Sequence, residues 1–124
     1  MLGHLRQHIA TALAHAQSAA LASTGPAGLL AHIVPCAASG VELYLLLPQT
    51  SEHLVNLEHD PAVVVATTGW QVSGRARMAS AAECPPALLG NPAAAWSQVV
   101  VVQPTRVSIA QPEGWGATET IDLE

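Results

Sequence analysis

The chain has 124 residues, which suits a single domain over 1–124, with a formal net charge of −5, four arginines and no lysine. Nucleic acids and anionic membranes attract proteins with clustered positive charge, which four separated arginines cannot provide, so we exclude both as partners. No stretch reaches the roughly 20 apolar residues that a membrane-spanning helix needs.

The first half of the chain alternates apolar segments with turn signals. Between Leu2 and Leu13 an apolar residue recurs every three or four positions, which predicts a helix over 1–16. The segments 25–28 and 38–40 contain Gly with Pro or Ser and are typical of hairpin turns. The predicted strands of this half cover 20–24, 29–37 and 41–47.

The turn over 49–53 joins the third strand to a second helix. Thr50 or Ser51 caps this helix, which runs to about His59 and is stopped by Asp60-Pro61. Backbone N–H groups point outward at a helix N-terminus and attract anions. The pattern therefore indicates an anion site at this turn, and a plain N-cap is the competing interpretation.

Short apolar runs continue in the second half. Gly69-Trp70 and 114–116 are predicted as turns, and the proline-rich segment 81–95 as a loop or short helical piece across the barrel end. Gln103-Pro104 is expected to divide or bend the last long apolar run. The predicted strands of this half cover 62–68, 71–79, 96–102 and 106–110, with a last short strand over 118–123.

These elements predict a mainly β protein with a small closed sheet of six or seven strands, an N-terminal helix and one helix between strands 3 and 4. The third and fourth strands are almost uniformly apolar, so we expect both faces of each to be buried. The core is rich in Ala and poor in aromatic residues. We therefore expect an obligate dimer, in which a second subunit completes the burial.

Cys36 and Cys84 are far apart and have no CxxC spacing, so we interpret them as small buried thiols in a reducing compartment. Polar residues such as His8 and Thr11 interrupt the Ala-rich N-terminal segment, so it does not form the apolar region of a signal peptide. Cytoplasmic location is the expectation.

The order of motifs resembles the pyridoxamine 5′-phosphate oxidase-like split β-barrel family. Four segments carry the resemblance: ALASTGPAGLLAHIVPC (20–36), LYLLLPQTSEHLVNLEHDPAVVV (43–65), WQVSGRA (70–76) and VVVVQPTRVSI (99–109). Together they span nearly the whole chain. The resemblance implies a split β-barrel that forms a homodimer, with FMN as a small-molecule ligand at the subunit interface and flavin-dependent redox chemistry on an unknown small substrate.

The resemblance also assigns ligand-binding positions. Ser51 matches the phosphate-binding serine of the family, with Thr50 beside it, and His53 falls where the family usually has lysine. Gln71 resembles a glutamine that reaches the cofactor from the other subunit, and Trp115 falls near a position that meets the cofactor. In the family, the backbone of one strand meets the isoalloxazine edge of the cofactor. The strand that contains His32, Ile33 and Val34 matches it.

Two departures from the family pattern weaken the expected phosphate site, because the usual lysine is His53 and a frequent arginine is Glu52. Arg and Lys supply the strongest charge-assisted hydrogen bonds to a phosphate dianion. Arg75 and Arg77 share one face of their strand by alternation and compensate only if that face points to the ligand.

A second hypothesis is a non-catalytic dimeric barrel that has lost FMN or binds haem or another small ligand, with His32 as the candidate axial ligand. His4 and His8 have the i,i+4 spacing of a metal pair, but a polar helix face explains them better, so no metal site is predicted. No catalytic residue is named, since a flavin cofactor carries the electrons or hydride itself. Oxidation of pyridoxamine phosphate is disfavoured because it requires a second set of arginines.

Overall fold

The computed structural model describes residues 2–111 and 114–123, and the side chains of residues 2, 3, 111 and 114–118 lie outside the description. Within this part seven antiparallel strands form one sheet. The strands are Ser18–Ser23 (β1), Leu30–Ser39 (β2), Glu42–Pro48 (β3), Ala62–Ala66 (β4), Trp70–Ala79 (β5), Ser97–Gln111 (β6) and Gly114–Asp122 (β7).

Helical segments occupy the β3–β4 and β5–β6 connections of the sheet and its N-terminal approach. The α-helices are Leu2–Leu13 (α1), Glu52–His59 (α2) and Pro86–Leu89 (α3), and 3₁₀ turns cover Ala81–Glu83 and Pro92–Trp96. In the described residues no helix has the length and hydrophobicity of a membrane span.

Six strands close into a barrel in the order β3-β2-β1-β4-β5-β6, because β3 also pairs with β6, and β7 extends the sheet beside β6. Closure removes the open edges that such an apolar sheet would otherwise present. The predicted mainly β architecture, with an N-terminal helix and a helix between the third and fourth strands, is confirmed.

The third strand is buried on both faces, as predicted. Leu43, Leu45 and Leu47 point into the barrel, whereas Tyr44 and Leu46 pack under the segment that contains α3. The same prediction is wrong for β4, whose side chains alternate between buried and partly exposed positions. The outer face of β4 is therefore only partly covered by the residues that the structure describes.

Of the two alternatives predicted at Gln103-Pro104, the division is wrong and the bend agrees with the structure, because β6 is one continuous strand with a bulge there. The pairing with β5 shifts between Ser73 and Gly74, and Pro104 lies opposite Gly74. A Cβ on Gly74 would lie 2.5 Å from the Gln103 carbonyl oxygen, so this close approach requires glycine. The bulge lets β6 bend without breaking, and it accommodates a proline that donates no ladder hydrogen bond.

Two smaller predictions also need correction. Residues 114–116 belong to β7 and do not form a turn, because β7 begins at Gly114, which pairs with Gln111 of β6. Trp96 ends a 3₁₀ turn and does not start a strand, and its side chain is exposed. Cys36 and Cys84 are both buried and unpaired, as expected. Burial raises the pKa of the Cys36 thiol to about 11.

Candidate functional site

The N-terminus of α2 opens into a cavity of about 340 Å³ beside β2 and the end of β3, which we name the α2 pocket. Six of the ten predicted binding residues line this one cavity. They are His32, Ile33, Val34, Thr50, Ser51 and His53. The sequence therefore placed the two halves of the site on elements that the fold brings together.

Ser51 is the N-cap of α2. Its backbone is extended, with φ −66° and ψ 133°, and its Oγ accepts a hydrogen bond from the His53 backbone N–H over 3.2 Å. Extended backbone and this acceptor role are typical of an N-cap serine. Among the described residues the hydroxyl of Ser51 donates to no partner, so capping and anion binding are compatible at this residue.

The charge around the α2 pocket is unfavourable for a phosphate. Glu52 is exposed in the first turn of α2 and lines the pocket. Among the residues that the structure describes, no arginine lines it. Thr50 is exposed at its rim. Within one chain the pocket thus offers hydroxyl and imidazole groups but no permanent cation.

His53 is turned into the protein and is only 2% exposed. Its Nδ1 lies 2.6 Å from Ser23 Oγ, and its Nε2 lies 2.9 Å from His32 Nδ1. Burial, and after it the neighbouring His32, lowers the pKa of His53 below its ordinary value of 6.5. At neutral pH His53 is therefore uncharged, and it does not replace the positive charge of the family lysine.

Asn56 anchors the opposite end of this buried polar cluster. Its Oδ1 accepts from the Ala27 backbone N–H, and its Nδ2 donates to the Gly28 carbonyl and to Ser23 Oγ. A Cβ on Gly25 would lie 2.8 Å from Asn56 Oδ1. The β1–β2 turn therefore packs directly against α2 and fixes the Asn56 amide.

Arg75 and Arg77 are both exposed on β5, and together with Arg6 they line a different cavity of about 410 Å³. Arg77 Nη2 donates to Glu83 Oε2 over 3.0 Å. This hydrogen bond holds the pKa of the Glu83 carboxyl below its ordinary value. Within one chain these two arginines do not reach the α2 pocket.

Gln71 and Trp115 complete the predicted set. Gln71 is exposed on β5, opposite Ala66 of β4, and does not line the α2 pocket of its own chain. Trp115 belongs to β7, and its side chain lies outside the described residues.

Sequence reasoning missed Ser23 and Asn56. Both are buried polar residues, and the signal for them was present in α2, where His53, Asn56 and Leu57 share one face by helical spacing. Polar side chains on the buried face of a helix need partners, because an unpaired polar group in the interior is costly. The partners are supplied by β1 and the β1–β2 turn.

No protein-family model matches the sequence, and no curated protein is matched by it. Solved structures do match. A Listeria innocua protein named for pyridoxamine 5′-phosphate oxidase has 18% identity and a TM-score of 0.67, with 85% of this chain and 97% of that chain covered. The chain has the split-barrel fold of the pyridoxamine 5′-phosphate oxidase-like proteins.

Two further split barrels differ in what their names say they bind. A haem-binding protein from Mycobacterium smegmatis has 21% identity and a TM-score of 0.70, and the match covers 94% of this chain and 56% of that chain. A FAD-binding protein from Mesorhizobium loti has 14% identity and a TM-score of 0.63, with coverage of 81% and 89%. At these identities the likeness establishes the split-barrel fold.

Proposed function

We propose that the chain binds FMN in the α2 pocket and serves as a flavin-dependent oxidoreductase on a small substrate. The observation that supports this most is the meeting of β2 with the Ser51-capped N-terminus of α2 in one cavity. A helix N-terminus with a donating hydroxyl suits a phosphate, and the adjoining strand offers Ile33 and Val34 as apolar contacts for an aromatic ring.

The residues of the α2 pocket fit FMN in shape and donor type, with one deficit in charge. Ser51 and Thr50 would donate to the phosphate, and Ile33 and Val34 would contact the ring system. The positive charge that a phosphate needs would come from outside the single chain. No arginine of the described residues lines the pocket, and Glu52 adds a negative charge.

We infer a homodimer as the source of the remaining contacts. Leu29 is 81% exposed and Ile33 71% exposed, unusual values for large apolar side chains. Leu29 also lines a cavity of about 400 Å³ over the uncovered face of β1, β4 and β5, which includes Arg75. A second copy packed on this face would bury both residues and bring Gln71 and Arg75 towards the neighbouring pocket.

FMN supplies hydride or electron transfer, and a protein that holds it supplies orientation and a dry environment. In this chain Ile33 and Val34 would exclude water, and Ser51 would fix the phosphate end. No side chain of the pocket is assigned as acid or base.

The test is the absorbance spectrum of the freshly purified protein, followed by titration of the colourless form with FMN. We expect the two visible bands of oxidised flavin, or flavin fluorescence quenched on addition of the protein. A colourless protein that takes up no FMN would remove the proposal. Riboflavin is the control ligand, since loss of the phosphate should weaken binding at a site built around Ser51.

Haem binding is the second candidate, supported by the exposed imidazole of His32 at the α2 pocket. A Soret band in the same spectrum, lost in His32→Ala, is the outcome that favours it. We also expect cytoplasmic location, because two buried free thiols suit a reducing compartment.

A further inference from the structure

Four side chains form an unbroken series of hydrogen bonds from the interior to the α2 pocket. The series runs Asn56–Ser23–His53–His32, with contacts of 3.1, 2.6 and 2.9 Å. The first three residues are at most 3% exposed, whereas His32 is exposed. Serine and histidine can each donate or accept, so which atom donates in each hydrogen bond follows from the member whose donor and acceptor atoms can be told apart.

Asn56 is that member. The Ala27 backbone N–H can only donate, so it identifies the amide oxygen, and the Gly28 carbonyl can only accept, so it identifies the amide nitrogen. The second hydrogen of Nδ2 then points to Ser23 Oγ. Ser23 therefore accepts from Asn56.

The hydroxyl of Ser23 must donate elsewhere. Among the hydrogen bonds of the described residues, its one other partner is His53 Nδ1. If Ser23 donates there, Nδ1 of His53 carries no proton, and the neutral ring holds its proton on Nε2. That N–H then donates to His32 Nδ1, which leaves the proton of neutral His32 on Nε2.

We propose that Asn56, Ser23 and His53 act as a relay that holds His32 as the Nε2–H tautomer and presents it to the α2 pocket as a fixed donor for an acceptor oxygen of the ligand. His32 is the ligand-contacting residue, and the other three are positioning residues. This inference rests on the proposed function for the identity of the ligand, since the phosphate and ring carbonyls of FMN supply acceptor oxygens.

The same relay opposes metal ligation by His32. A metal bound at Nε2 needs a lone pair there, with the proton on Nδ1 and donated to an acceptor. That arrangement would place the proton of His53 on Nδ1, so Ser23 Oγ would accept from both Asn56 and His53 and its own hydroxyl hydrogen would lose its partner. The relay therefore favours a flavin site over a haem ligated by His32.

The experiment is long-range ¹⁵N–¹H correlation NMR of the ligand-free protein at neutral pH, with His32 and His53 assigned through His32→Asn and His53→Gln. We expect both rings as single Nε2–H tautomers. Ser23→Ala should shift His53 towards Nδ1–H and give His32 the averaged signals of a free imidazole, whereas Ser23→Thr, which keeps the hydroxyl, should restore the single tautomers.

The inference is overturned if His32 in the unsubstituted protein exchanges between tautomers or carries its proton on Nδ1, a result that needs no variant to fold. FMN titration is a separate readout. Because Ser23 does not line the α2 pocket, a severalfold loss of FMN affinity in Ser23→Ala that Ser23→Thr reverses supports positioning. Failure of the unsubstituted protein to bind FMN would remove the proposed function and leave the tautomer result standing.

Discussion

His53 and His32 meet edge to face, with ring centroids 5.0 Å apart, planes at 90° and a hydrogen bond of 2.9 Å between Nε2 and Nδ1. Because one proton occupies this contact, the two rings cannot both be fully protonated without breaking it. Burial, and after it the neighbouring His32, lowers the pKa of His53, so His53 is the ring that resists protonation.

The first prediction concerns stability against pH. The folded pKa of His53 lies below its ordinary 6.5, so the unfolded chain takes up the proton first. The contribution of His53 to the free energy of unfolding is therefore fully present above about pH 6.5 and is lost as the pH drops from there through the lower folded pKa.

Urea denaturation of the unsubstituted protein and of His53→Gln, each at about pH 8 and about pH 5, checks this. The other five histidines, and Glu52 and Glu58 on α2, are the same in both proteins. The unsubstituted protein should lose more stability on acidification than the variant. Equal losses would show that His53 does not carry the pH dependence.

The second prediction separates the cap role of Ser51 from its role at the anion site. Ser51→Asp keeps an N-cap acceptor but adds a negative charge, so stability should be retained while FMN affinity falls about tenfold or more. Ser51→Asn is the matched neutral cap and should lose less affinity.

Ser51→Ala should lose about 1 kcal/mol of stability along with the cap. Thermal unfolding and fluorescence titration measure the two effects independently. Unchanged FMN affinity in Ser51→Asp would mean that the phosphate does not lie at the α2 N-terminus.

The third prediction concerns the turn that packs on α2. In Gly25→Ala the new Cβ would lie 2.8 Å from Asn56 Oδ1 and 3.0 Å from Asn56 Cα, so the turn must move away from the helix. We expect a loss of about 1–3 kcal/mol in the free energy of unfolding. Gly69→Ala is the control, because its new Cβ would meet nothing closer than 4.0 Å. Equal effects of the two substitutions would contradict this packing.

The fourth prediction concerns the homodimer. Leu29→Glu combined with Ile33→Glu places charge on two side chains that are exposed in the single chain, so the monomer should still fold. Sedimentation velocity should show a dimer for the unsubstituted protein and a monomer for the variant. Leu89→Glu, on a partly exposed residue of α3 that lines neither the α2 pocket nor the cavity of about 400 Å³ beside Leu29, is the control. A monomeric unsubstituted protein would end the proposal.

The barrel was predictable because local signals agreed with one another along most of the chain. Uniform burial of β3 was visible in its run of leucines, and the Asp60-Pro61 stop gave the end of α2. The continuity of β6 was not visible, since Pro104 ordinarily ends a strand. It continues only because Gly74, on another strand, permits a bulge there.

The candidate site was predictable as a location and less so as a set of interactions. The order of the family motifs predicted that His32 and Ser51 belong to one ligand site, and both residues line the α2 pocket. The inward orientation of His53 depends on Ser23, which lies at the end of β1, and on Asn56, which lies further along α2 and holds Ser23. The match between His53 and the lysine usual in the family does not predict these buried partners.

Barrel closure also has a consequence during synthesis. The edge of β3 opposite β2 is satisfied only by β6, where Leu45 pairs with Val100. A chain still emerging from the ribosome therefore displays an apolar strand with one unpaired edge until the final third has been translated. An unpaired apolar edge can pair with another chain, so Leu43–Leu47 is open to association with other incomplete chains until β6 has been made.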